Sequence, residues 1–225
     1  MDHRWQACCE RLIRRIDPHF QEPVYLVTRR EARAAGVLRV GDFAGLTSFG
    51  MAGDLRRLLE RQGRWHGRGF AAVVDIPSIE TTASLLAVVL HEFAHYVETA
   101  AQTAAIADAM GVAAFDATLS APAADVGTER PEPTHDENQK MHSPQFIRLA
   151  IHLELRALRH GVRPYCFVVE PSVYHWPDWW RWRGALGDEP RRLAAWPMVS
   201  IAAMVPPKSY EQFTAATLAA QQFHF

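Results

Sequence analysis

His91-Glu92-Phe93-Ala94-His95 sets two imidazoles four residues apart, with a carboxylate beside the first. Residues i and i+4 project from one face of a helix, so His91 and His95 can converge on a single ion. Glu92 lies beside that face, within reach of a water on the metal rather than the metal itself. Zinc suits such a pair. It lowers the pKa of its water to about 7, and an adjacent glutamate takes the proton as the water attacks a carbonyl. The same carboxylate can then pass the proton to a leaving amine. With 11 histidines in 225 residues, roughly 3% of shuffled chains would carry the pattern by chance. Position therefore has to decide. The motif follows Leu85-Leu86-Ala87-Val88-Val89-Leu90, apolar nearly all round, in a segment short of charge. Ionisable groups are costly in such a place unless paired or metal-bound.

Two histidines do not complete a site, because catalytic zinc takes a third protein ligand and keeps one position open. Glu98 and Ala101 stand where an HExxHxxGxxH extension would need Gly and His, which excludes that pattern. Downstream, His142 is the leading candidate, since it directly precedes a helix started by Ser143 and Pro144. His135 sits in a loop-like stretch and is the weaker choice. His152 falls mid-helix beside an apolar stripe and reads as structural. Glu154 is the alternative if the third ligand is a carboxylate. Glu98, three residues after His95, can accept a hydrogen bond from a ligand imidazole. Tyr96 and Tyr165 can donate to a developing oxyanion, although packing is the simpler use of both.

The elements that must position these residues follow from periodicity and punctuation. Trp5, Cys8 or Cys9, Leu12 and Ile16 predict a helix over 2–16, ended by Asp17-Pro18. Val24–Val27 is a short strand, followed by an Arg-rich turn and a glycine-punctuated stretch through Gly50. Asp54–Gln62 reads as a short helix, and Gly69–Ile76 as a strand stopped by Pro77. The longest helix spans about 78–110, capped by Thr81 or Thr82, and buried on most faces. Residues 121–139 have the composition of a mobile loop. Ser143 then caps a helix to His160, with Pro144 at its first position and Phe146, Leu149, Ala150, Leu153 and Ala157 as its apolar stripe. Tyr165–Glu170 is a further strand, and a final helix covers about 210–222.

A formal charge of −1 disfavours a strongly basic nucleic-acid binder as a description of the whole chain. Three cysteines, two of them the adjacent Cys8 and Cys9, make neither a disulfide framework nor a CxxC zinc site. No secretory signal is legible and no apolar run approaches the roughly 20 residues of a membrane helix, so the expectation is a soluble, cytoplasmic protein without membrane contact.

A strand ending near Ile76, a buried helix bearing HEFAH, a variable loop, and His142-Ser143-Pro144-Gln145-Phe146 opening a second helix resemble the SprT-like (Spartan-type) zinc metallopeptidases. The resemblance covers roughly residues 60–160. It implies His91, His95 and His142 as zinc ligands, Glu92 as general base, and a protein substrate laid along an edge strand near Gly69–Ile76. Ser143 departs from the His-Gly-Pro-x-Phe/Trp-like turn of that family, trading backbone freedom for a better helix cap.

The expectation is therefore an α+β chain with a small antiparallel or mixed sheet, packed on the HExxH helix and a second ligand-bearing helix, zincin-like in arrangement. A core of 1–165 would carry a C-terminal Trp/Pro-rich extension, 166–225, packing on it. Residues 174–183 hold four of the seven tryptophans with two arginines. That mixture suits packing over the core, and it also suits stacking on DNA bases. Two rivals to a protease with a histidine third ligand remain. One is a regulatory protease using Glu154. The other is a non-catalytic DNA- or protein-binding module with a vestigial zinc site.

Overall fold

A computed structural model of the chain describes residues 3–36, 46–47, 52–74, 81–110, 143–163, 186 and 188–222. Helix α1 (His3–Ile16) leads into β1 (Val24–Thr28) and α2 (Arg29–Ala34). Next come β2 (Leu46–Thr47), α3 (Ala52–Arg61) and β3 (Phe70–Val74). The helix bearing the motif is α4 (Thr82–Met110), and α5 (Pro144–Arg159) follows it. Three more helices close the chain: α6 (Asp188–Arg192), α7 (Met198–Ala202) and α8 (Lys208–Gln222). The architecture is mixed α+β with helices in the majority. The predicted strand at 165–170, the Trp/Arg stretch at 174–183, the loop at 121–139 and the boundary at 165/166 lie outside the described residues.

The sheet has the order β1-β3-β2. β1 and β3 run parallel, with Val24 opposite Phe70 and Thr28 opposite Val74. β2 pairs antiparallel to β3 through Leu46 opposite Val73 and Thr47 opposite Ala72. This overturns one expectation. The strand predicted to offer a free edge is the central one, bonded on both sides at Ala72 and Val73. Its sequence fits that position, because a strand covered on both faces reads as a continuous apolar run rather than an alternation.

Successive side chains of a strand face opposite ways, and here each face has its own core. Val24, Leu26, Phe70, Ala72 and Val74 join the main cluster with α1, α4, α5 and the C-terminal helices. Tyr25, Val27, Ala71 and Val73 pack on the other face with Ala32 of α2 and Leu55, Leu58 and Leu59 of α3. Gly69 admits the chain to β3. Its φ is 131°, and a Cβ there would stand 2.5 Å from the Pro23 carbonyl oxygen.

Local chemistry sets the boundaries. Thr28 and Glu31 form a reciprocal capping box, which makes a helix of the Arg-rich segment where a turn was expected. Thr81 caps α4, its Oγ1 accepting from the Ser84 N–H at 3.1 Å. Ser143 caps α5 with Pro144 behind it, as the sequence requires. Cys8 and Cys9 are free thiols. Burial, with Cys8 beside it, pushes the Cys9 thiol up to about 12, which leaves it unreactive.

The apolar stripe predicted for α5 is buried as expected, and so is a second stripe that was not: Arg148, His152 and Arg156. Arg148 is 0% exposed. Its guanidinium donates to the carbonyls of Ile201 and Met204, at 3.1 and 3.0 Å, and to the Glu189 carboxylate. Arg156 donates to the carbonyls of Ile16, Leu193 and Trp196. Gln145 Nε2 reaches the Ala202 carbonyl at 2.8 Å, and Asp17 Oδ2 accepts from the Met198 N–H at 3.2 Å. Residues 193–204 are thus fastened to α5 through backbone carbonyls, a bonding mode indifferent to side-chain identity.

Burial would raise the Glu189 carboxyl. His152 facing it, the Arg148 guanidinium that donates to it and the nearby Tyr210 hydroxyl outweigh that and hold it at about 2. Burial lowers His152 below its ordinary 6.5, against the pull of Glu189. Both act in one direction. The depressed carboxylate contributes stability above its unfolded value of 4.5 that is lost as pH falls towards about 2. The neutral histidine is stabilised less and less as pH drops below 6.5, where the unfolded chain takes up the proton. Urea midpoints should therefore decline from pH 7 to pH 4, and Glu189→Gln should flatten the lower part of that decline. An unchanged slope in the variant would contradict this assignment. Arg148→Ala should cost about 3–5 kcal/mol, because it strands a buried carboxylate. A loss below about 1 kcal/mol in urea unfolding would show that water reaches Glu189.

Candidate metal centre

Helix α4 buries Leu85, Val89, Phe93 and Val97 on one stripe, and Leu86, Leu90, Ala94 and Ala101 close beside it. These residues recur at three- and four-residue intervals, so the stripe of Val88, His91, His95 and Glu98 is turned away from them. His91 and His95 are half-buried there, while Glu92 is 1% exposed. The two imidazoles meet edge to face with ring centres 5.0 Å apart. Two imidazoles bound to one tetrahedral zinc at about 2.0–2.1 Å have ring centres roughly 5 Å apart, a spacing this pair matches.

The opposite wall is the first turn of α5. Phe146, fully buried, stacks on His95 with ring centres 4.0 Å apart and an interplanar angle of 25°. The same ring meets His91 at 4.9 Å and 65°. One phenyl group therefore limits the rotation of both imidazoles. Ser143 Oγ accepts from the Phe146 N–H at 2.9 Å and donates to Glu98 Oε1. Glu98, 8% exposed rather than solvated, thus accepts from the hydroxyl that caps α5.

The other predicted residues divide clearly. The structure brings together His91, Glu92, His95 and Glu98. His142, His135 and Tyr165 lie outside the described residues. Tyr96 turns away from the pair: its hydroxyl donates to Glu22 Oε2, and its ring packs with Phe20, Phe70 and Phe93. Burial, reinforced by Glu22, raises the Tyr96 hydroxyl above its ordinary value, as befits a packed phenol rather than an oxyanion donor. His152 is 0% exposed and faces Glu189, the structural part predicted for it. Among the described residues no group of three His, Cys, Asp or Glu side chains is gathered as a metal would require. Glu154 therefore does not join His91 and His95 in a ready-made ligand set.

The sequence places Phe146 in the apolar stripe and Ser143 at the helix cap, both within the turn that carries the family resemblance; the contacts of Phe146 with the two imidazoles and of Ser143 with Glu98 are not legible there. Comparison with protein-family models, curated proteins and solved structures finds no match, so function has to be argued from this chain's own residues.

Phe146→Ala should cost about 3–5 kcal/mol as a buried aromatic truncation. It should also free both imidazoles, which would appear as narrowed histidine ring resonances in NMR spectra of the metal-free protein. Unchanged resonances would show that α4 alone sets the rings.

Proposed function

We propose that this chain is a zinc-dependent metalloendopeptidase of the SprT-like kind, with a zincin-like arrangement of its motif helix, sheet and second helix. The observation that carries the reading is the pair of half-buried imidazoles, 5.0 Å apart on one face of α4, flanking a buried Glu92. His91, His95 and His142 would hold the ion. Support for the third comes from Ser143, the residue covalently next to His142, which is hydrogen-bonded to α4 one turn beyond His95. When bound, zinc supplies Lewis acidity and an acidified water at neutral pH.

The residues of the chain do the rest. The Glu92 carboxylate takes a proton from the attacking water and returns it to the leaving amine. Its burial excludes bulk water and strengthens its field on the reacting atoms. His91 and His95 keep their orientation against Phe146, so little reorganisation accompanies each turnover. An extended protein substrate needs a strand margin beside this face. β2, at one side of the sheet and in contact with α4, takes the place first expected of β3.

Among the described residues no helix is long and apolar enough to cross a membrane. Absence of a membrane partner, a cytoplasmic location and DNA contact through 174–183 remain expectations of the sequence.

Glu92→Gln should retain zinc at the parent's stoichiometry and lose at least about 10²-fold in peptide hydrolysis, the range of a lost general base. Turnover at the parent's rate would overturn the mechanism. His142→Ala should lose zinc while Glu154→Ala keeps it; the reverse pattern would assign the third position to the carboxylate.

A further inference from the structure

Ser143 Oγ serves two partners. As N-cap it accepts from the Phe146 N–H, with its backbone extended at φ −67° and ψ 161°. As a hydroxyl it has one proton to give, and it gives it to Glu98 Oε1 on α4. Glu98 lies three residues past His95 and is 8% exposed, so the bond is largely shielded from water. The carboxylate also faces the start of a 16-residue helix, where the macrodipole favours negative charge. Glycine, the residue of the resembling turn, can make neither side-chain bond.

From this geometry we infer that Ser143 and Glu98 are a positioning pair, which fixes the start of α5, the residue next to His142 in the chain, against the HExxH helix before any metal arrives. The inference rests on the metallopeptidase reading and adds to it a device that the HExxH pattern does not contain. Neither residue need touch the ion or the substrate. Their effect falls on metal affinity, because a ligand joined to a fixed helix start loses less conformational freedom on binding.

Ser143→Asp separates the two roles of the hydroxyl. Aspartate caps a helix as well as serine does, but it has no proton to donate and opposes Glu98 with like charge. Ser143→Thr keeps both roles. Zinc affinity, measured by chelator competition on the full chain, should fall about 10–100-fold in Ser143→Asp and in Glu98→Ala, the range seen when partners of metal ligands are removed. Ser143→Thr should stay within about 3-fold of the parent. Ser143→Ala/Glu98→Ala should lose no more than the worse single variant, since one bond cannot be broken twice. Visible absorption of the Co²⁺-loaded proteins should change in the same variants, and melting of the metal-free chain registers any general loss of fold.

His142→Ala keeps the two readings apart. If it loses zinc while Ser143→Asp and Glu98→Ala bind as the parent does, the positioning pair alone is overturned. The same holds if their losses multiply in the double variant, or if affinity merely follows the melting temperature. If His142→Ala binds zinc as well as the parent, His142 is not a ligand, and the inference falls with that assignment.

Discussion

The seam between α4 and the first turn of α5 decides whether three motif residues amount to a site. An HExxH turn on a helix by itself fixes only the spacing of two rings. Here that turn is covered on one side by Phe146, stacked on His95 and edge-on to His91. It is tied at its C-terminal side by the Ser143 hydroxyl on Glu98. The apolar residues behind these contacts, Leu90 and Phe93 of α4 and Leu149 and Leu153 of α5, belong to one continuous core. Burial supplies the bulk of the hold on this seam, and the Ser143–Glu98 bond fixes it at the start of α5.

The same logic extends to the far side of α5. Arg148, His152 and Arg156 could not be buried on this helix unless other groups met their charges and donors. Glu189, Asp17 and a row of carbonyls from residues 193–204 do so. The C-terminal helices are consequently not a detachable appendage to the fold. They immobilise the helix whose first turn closes the candidate site, which connects residues near 200 to the orientation of rings near 91.

Much of this was legible from spacing. The long apolar helix, the Ser-Pro start of α5 and its stripe at 146, 149, 150, 153 and 157 all follow from local rules that the tertiary structure obeys. The failures have physical causes. β3 was taken for an edge because a short apolar strand gives no sign of how many neighbours it has; only pairing by the two residues of β2 makes it central. The burial of Arg148 and Arg156 is not legible in the sequence, because their partners lie from 37 to 140 residues away and carbonyl partners leave no mark there. His91, Glu92 and His95 were plain because their geometry is contained within one turn. Ser143 was plain only as a cap, since its bond to Glu98 joins residues 45 apart in the chain.

In the function proposed, His91, His95 and His142 would hold a single zinc and leave one position to water. X-ray absorption at the zinc edge of the loaded full-length chain reads that shell directly. The account predicts three nitrogen scatterers and one oxygen at about 2.0–2.1 Å, with the imidazole outer-shell pattern of three rings. A sulfur scatterer near about 2.3 Å, or a shell with only two imidazoles, would contradict it.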